Sequence, residues 1–451
     1  MNSIDIIQER VKQKKQKKFL LVANGIIIGV LIVWLAVGNL LVVYLEQPML
    51  KAQTELVQKY PSREDNTALV KLRELDRKLE RYNKLEPQKS IGYLFRDYYS
   101  SEILENHSNQ TNNLPQDLKN YLDSHSTIIN EIITLLKNEP LKFERRDLSK
   151  AFTDPVEFAN TPVPSYLVFA DLHRMLLVDA LQQYQSGQTQ KAFDILTAFC
   201  NINLALQEQG SLISQLVNDI LYGDQLAFLR KTSLPIEVPQ LAKPNHKKFF
   251  IHSIEFEALF IANFMQIPSS EIEGRIPSYE IEGMKKRSPS LIERLLLPFQ
   301  IPYFKLSGID YWTKNMQMLE KVQNQDISSF DLESLQKELK ASLAWWNVSG
   351  RSQEIRLSQL RKPYKILLKW EFTQKILQAK AEALKTGKLP SMLQNSEPSS
   401  ILKTLQYDYQ VTDNGQKMTL QMRNPPKWYV VYKEGDLVTY SFTLNSIQPP
   451  K

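Results

Sequence analysis

The chain has 451 residues, 43% hydrophobic and 23% charged, with a formal net charge of +7. Those proportions exclude a disordered or collagen-like chain. The charge does not argue for nucleic acid once it is located: the first 18 residues carry six basic and two acidic side chains, leaving 50 basic against 47 acidic elsewhere, too even a balance for a basic field.

Residues 1–18 form a basic tail. Phe19–Leu45 then contains no Asp, Glu, Lys, Arg or His. At about 1.5 Å per residue such a helix is roughly 40 Å long, against about 30 Å of bilayer hydrocarbon. It is expected to be a transmembrane helix. Val43-Tyr44-Leu45-Glu46 offers no small-x-small site for a signal peptidase. Basic residues before the span and few after it predict a cytoplasmic N-terminus, with residues 46–451 extracytoplasmic at the inner (plasma) membrane. Gly25 and Gly29 form a small-xxx-small pair, with Ala36 seven residues beyond Gly29. They are candidate helix-packing residues for a homodimer.

Residues 46–138 read as a stalk and helical region. Residues 47–60 continue the anchor until Pro61-Ser62. Leu72, Leu75, Leu79 and Tyr82 have a/d-like spacing, which fits either a stalk helix packed on the body or a short dimer seam. Ile91–Ile103 and Leu118–Lys137 are expected to be helices, with the polar loop NHSNQTNN between them. Its two Asn-x-Ser/Thr triplets matter only in a eukaryotic secretory pathway.

Residues 139–266 form the most patterned region. A connector with Pro140, Pro155, Pro162 and Pro164 leads into Tyr166–Gln185 and Lys191–Gln207, joined at Ser186-Gly187. Ala180, Tyr184, Gly187, Ala192 and Leu196 match the spacing of one tetratricopeptide-type hairpin. A third helix, Ser211–Arg230, has Ser211 as its expected N-cap. The run from Ala170-Asp-Leu-His-Arg-Met-Leu-Leu177, through Gly187 and Ala192, to Leu212-Ile-Ser-Gln-Leu-Val217 resembles a segment of poorly characterised bacterial membrane-anchored proteins. The resemblance implies an anchored helical extracytoplasmic protein and carries no chemistry. Cys200 is the only cysteine, so no intrachain disulfide forms. A large extracytoplasmic region without disulfides suits a bacterial envelope.

Residues 267–390 read as an irregular segment, 267–312, followed by helices at about 309–323, 331–346 and 357–386. The irregular segment contains the near repeat Glu271-Ile-Glu-Gly274 and Glu280-Ile-Glu-Gly283 and the Pro-punctuated LLLPFQIPYF. Asp331 is the expected N-cap of the second helix. Trp345, Trp346 and Trp370 are expected as core or interface anchors. Gly387 and Pro390 stop the last helix.

Residues 391–451 alternate with period 2 around Asp413-Asn414-Gly415 and Glu434-Gly435-Asp436, predicting a four-stranded antiparallel β-meander. A long helix, then Gly387-Lys-Leu-Pro390, then a small sheet resembles the tail of pseudopilin-like proteins in architecture. The processing site and the Glu that open their transmembrane helix are missing at Lys18-Phe19-Leu20.

The five histidines form no close metal pair, and no Walker A, GxSxG or GxGxxG motif occurs. No catalytic residue, cofactor or metal is expected. The sequence therefore predicts a mainly α protein with a transmembrane anchor, a helical extracytoplasmic region with one tetratricopeptide-like hairpin, and a small C-terminal sheet. The expected function is a non-catalytic scaffold of the bacterial envelope. Its expected partners are the lipid bilayer, a second copy through the transmembrane helix and an envelope protein, and not nucleic acid. The alternative is an envelope hydrolase or glycan-binding protein that uses residues 267–312.

Overall fold

The computed structural model describes residues 3–82, 90–105, 113–161, 166–232, 234, 246–267, 291–324, 332–344, 347, 359, 361–393, 399–402, 404–430 and 438–444. These are mainly helical, with one small antiparallel sheet.

Helix α1, Ser3–Lys59, runs unbroken for 57 residues, through Pro48. It is the one described helix long and apolar enough to cross a membrane. Gly38, Val42, Met49, Gln53 and Leu56, with Tyr60 just past its end, are the buried positions among those described. Their alternating spacing of three, four and seven draws a narrow seam along one side of the helix. The expected continuation through residues 47–60 is present, and Tyr60 closes it with a backbone bond to Leu56.

Helix α2, Thr67–Lys78, is capped by the Asn66 side chain, which accepts from the Leu69 amide. Its Leu69, Leu72 and Leu75, with Leu79 beyond its end, turn into the largest core. This corrects the dimer-seam alternative, because these leucines already have partners inside the chain. Tyr82 is exposed and donates its hydroxyl to Asp171 at 2.6 Å. Helix α3, Ile91–Tyr99, runs into a wider turn over Ser100–Glu105. The single helix expected over 118–137 is two, α4 (Gln116–Ser124) and α5 (Ser126–Asn138), broken at His125. The connector holds two short helices, α6 (Leu148–Thr153) and α7 (Pro155–Asn160), whose N-caps are Asp147 and Asp154. Short polar side chains relieve orphan amides there, and Pro155 suits a first helical turn.

Helices α8 (Leu167–Gln185), α9 (Thr189–Gln207) and α10 (Leu212–Lys231) form a layer in the same core. The α8–α9 turn needs Gly187, whose φ is +80°, a left-handed conformation that favours glycine. Ser211 caps α10 by accepting from the Ser214 amide.

Helices α11 (His246–Phe264) and α12 (Leu291–Asn324) pack on each other and on α1, forming a second core with Val42, Met49, Leu56 and Tyr60. Here the sequence reading is corrected. LLLPFQIPYF is no loop but the interior of α12, with Pro298 and Pro302 inside the helix. A proline deletes one intrahelical bond and kinks or breaks a helix that has nothing else to hold it. Burial of Pro302, Leu306, Ile309 and Trp312 against α1 and α11 holds this one. The acidic repeats of 271–283, Trp345, Trp346, Asp331 and residues 351–358 lie outside the described residues.

Helix α13 spans Leu332–Ser342, and α14 spans Arg361–Thr386. Helix α14 ends at Gly387, φ +71°, as expected. It carries the sheet on a third core. Strands β1 (Gln406–Thr412), β2 (Lys417–Arg423) and β3 (Thr439–Thr443) pair antiparallel in that order, with Tyr409 opposite Leu420 and Leu420 opposite Tyr440. Described strands number three, not four. Trp428 and Tyr429, which a fourth strand would have to include, lie in a helical turn, α15 (Lys427–Val430), which follows Pro425-Pro426.

Candidate functional site: the α1–α12 seam and the buried polar layer

The three predicted packing residues of the apolar stretch lie free of the rest of the chain. Gly25, Gly29 and Ala36 are exposed, and a β-carbon on either glycine would meet nothing within 4 Å. The close approach is made instead at Gly38, where a β-carbon would lie 2.9 Å from Cβ of Pro302 and 3.2 Å from the Tyr303 ring. Tyr303 stacks on Trp34 with centroids 4.2 Å apart and an interplanar angle of 25°. Its hydroxyl donates to the Trp34 carbonyl at 3.0 Å. A carbonyl has two lone pairs, so it can accept this bond besides its helical one.

Above this contact the two helices leave an open cleft of about 840 Å³, lined by Leu40, Val43, Tyr44, Leu45, Gln47 and Pro48 on α1 and by Trp312, Thr313, Met316, Gln317 and Glu320 on α12. Farther up, Gln53 donates to Asn263 at 3.2 Å, and Lys59 meets His252 at 2.8 Å. Burial and the nearby Lys248 lower the Lys59 pKa, and Glu255 opposes them. Gly308 lets α12 cross α11 at backbone distance, since a β-carbon there would lie 2.2 Å from the Ala262 carbonyl oxygen.

The second concentration of chemistry lies inside the helical layer. His173 on α8 is fully buried, and Gln225 Nε2 lies 3.3 Å from its Nε2. Gln225 in turn accepts from Asn203 at 3.0 Å. A donating Gln225 amide puts the proton of neutral His173 on Nδ1, which faces Asp224 Oδ2 at 4.0 Å. Burial, helped by Arg174, pushes the imidazole down to about 3, so it is uncharged here despite that carboxylate. Burial pushes the Asp224 carboxyl up to about 6, against the pull of Arg174 and the Tyr99 hydroxyl. At the end of α10, Arg230 donates to Thr373 at 2.7 Å, and the buried Lys380 amino group donates to the Arg230 and Thr232 carbonyls.

This layer is sealed, which decides what it can do. A general base must reach a substrate, and His173 touches only protein. Cys200 is buried, its thiol pushed up to about 12 by burial, far from a reactive thiolate. The pocket between Tyr60, Arg145, Tyr166 and Gln209 holds about 40 Å³, too little for a ligand of several hundred Å³. Among the described residues no group of three or more His, Cys, Asp or Glu could hold a metal ion.

Sequence reasoning missed Gly38 and Tyr303. Their signals were present: a third glycine in the apolar stretch, and an aromatic just after Pro302 in an uncharged run. No known protein family, curated protein or solved structure matches this chain.

Proposed function

We propose that the chain is a single-pass anchored protein of the bacterial envelope, N-terminus cytoplasmic, whose helical body is a docking platform for another envelope protein and performs no catalysis itself. One observation carries this reading: α1 passes from its apolar stretch into the core of the body without a joint, burying Met49, Leu56 and Tyr60. The body is thereby held at a set height. Tyr60 lies sixteen residues beyond Tyr44, roughly 24 Å along a helix.

Near that height the turns at Gly187 and Gly210 bring the start of α8, the end of α9 and the start of α10 to one end of the layer. A β-carbon on Gly210 would lie 3.0 Å from the Tyr60 ring. Leu167, Leu204 and Ile213 at this end are 64%, 49% and 46% exposed. Exposed apolar side chains gathered at one end of a layer can form an interaction surface. The glycine face of α1, with Gly25, Gly29 and Ala36, is open to a second copy in the bilayer.

The test is in-cell crosslinking of the full-length chain, with mass spectrometry of what co-purifies, for wild type and for Leu167→Asp/Ile213→Asp. A reproducible envelope partner lost in the variant supports the platform. Equal capture by both chains, or no partner, overturns it.

A further inference from the structure

We propose that α12 is a second membrane-inserted element: its Leu297–Phe304 turns lie in the hydrocarbon beside Trp34, and their outward face is covered by lipid acyl chains. The inference rests on reading α1 as the membrane anchor and goes beyond it.

The first ground is depth. Trp34 lies ten residues inside Tyr44 within the uncharged stretch, roughly 15 Å along the axis. Tyr303 is stacked on it and hydrogen-bonded to its carbonyl. Whatever medium surrounds Trp34 therefore also surrounds the turns next to Tyr303. The chain from Leu295 to Phe304 has no ionisable residue. Prolines at 298 and 302 are tolerated in a membrane helix, where neighbouring groups satisfy the freed backbone.

The second ground is a matched polarity boundary. From Phe19 to Leu45 the exposed residues of α1 are apolar or small apart from Asn24 and Asn39; beyond Leu45, Gln47, Lys51, Thr54 and Glu55 are exposed, together with Leu50. On α12 the outward positions below the cleft are Pro298, Gln300 and Ile301, whereas above it they are Gln317, Glu320, Lys321 and Gln323. Leu45 and Gln47 line the cleft opposite Met316 and Gln317; the exposed charged residues of both helices begin above that height, and Lys305, Asp310 and Lys314 of α12 lie half-buried below it. Both also run upward together, since Tyr303 meets Trp34 and Met316 meets the Tyr44 region. Above that height both helices expose charged residues; below it α12 exposes none from residue 297 on, and Glu293 and Arg294 stand at its lower end.

Lys305, half-buried just above Tyr303, is the first ionisable residue on the way out, and its long stem can carry the ammonium upward. The uncharged outward face of α12 is thus continuous with the outward face of α1, and acyl chains that wet one wet the other.

The experiment places a nitroxide on single cysteines of the full-length protein in phosphatidylcholine–phosphatidylglycerol vesicles and compares collisions with oxygen, which partitions into lipid, and with a water-soluble nickel chelate. The sites are Ile301→Cys and Gln300→Cys on α12, Ile28→Cys in the apolar stretch of α1, and Gln323→Cys as the aqueous reference. Native Cys200 is buried and does not take the label. The expected result is an oxygen-to-nickel ratio at 300, 301 and 28 several-fold above that at 323. If 28 favours oxygen while 300 and 301 match 323, α12 lies outside the bilayer: the inference falls and the anchor stands. If 28 itself favours nickel, the anchor reading falls, and this one with it.

Discussion

Gly308 and Ala262 bring α12 and α11 together at backbone contact: a β-carbon on Gly308 would stand 2.2 Å from the Ala262 carbonyl oxygen. The obstacle is main chain, so no rotamer change relieves it. Gly308→Ala gains about 1 kcal/mol of helix propensity but must move α12 off α11. We expect a net loss of about 2 kcal/mol or more from overpacking, read as a lowered melting temperature of the full chain in detergent. Unchanged melting would mean that the crossing is looser than the geometry states.

Gly38 and the Gly25/Gly29 pair separate two roles that look alike in sequence. Gly38→Leu collides with Pro302 and Tyr303 and should lower the stability of the α1–α12 seam, measured as faster proteolysis near residues 291–304 of the detergent-solubilised chain. Gly25→Leu/Gly29→Leu meets nothing within the chain and should leave proteolysis unchanged. If that double variant also loses self-crosslinking in membranes, the glycine face is a dimer seam.

The His173–Asp224 neighbourhood gives a signed pH dependence. His173 is depressed in the fold to about 3. Its contribution is therefore present above its unfolded value near 6.5 and is lost as pH falls toward 3. Asp224 is raised to about 6, so its burial penalty is relieved as pH falls from about 6 toward its unfolded value near 4. The two slopes oppose each other between about pH 6 and 4, and only the histidine slope continues below. Asp224→Asn removes the offset. Its stability should begin to fall near pH 6.5, whereas the wild type holds to about pH 4, as followed by urea unfolding across that range.

Glu371 fixes the sheet to α14. Its carboxylate accepts from Ser399 Oγ at 2.5 Å, from Tyr407 Oη at 2.6 Å and from the Ser400 amide at 2.6 Å. Gln offers one oxygen and a competing donor in the same space. Glu371→Gln should cost about 2 kcal/mol, the range for a buried hydrogen bond to a charged group. Earlier proteolytic release of the 399–444 region would register it, and unchanged protection would argue against this anchoring.

What the sequence made legible followed from strong local signals. The uncharged run of 19–45, the Gly187 turn, the Ser211 cap and the Gly387 stop each depend on chemistry within a few residues, and each is present. The failures came from long range. Pro298 and Pro302 read as breakers because their tolerance depends on α1, some 260 residues away. Leu72, Leu75 and Leu79 carry an a/d pattern that fits a neighbouring helix of the same chain as well as a second copy. The polar seam from Asn203 through Gln225 to His173 has no sequence signature, because its members are ordinary helical residues that only the α8–α10 packing brings together.

The unbroken passage of α1 through Pro48 into the body has a consequence for encounter. A domain on a flexible tether tumbles and samples all orientations, so a partner must pay for aligning it. On the proposal that α1 is a membrane anchor, a body whose core is built on it is restricted to sliding and turning in the plane of the membrane, always at one tilt. Much of the orientational entropy of association is then lost once, during folding. A modest apolar patch can suffice for a neighbour anchored in the same sheet of lipid, and the same patch in free solution would bind far more weakly.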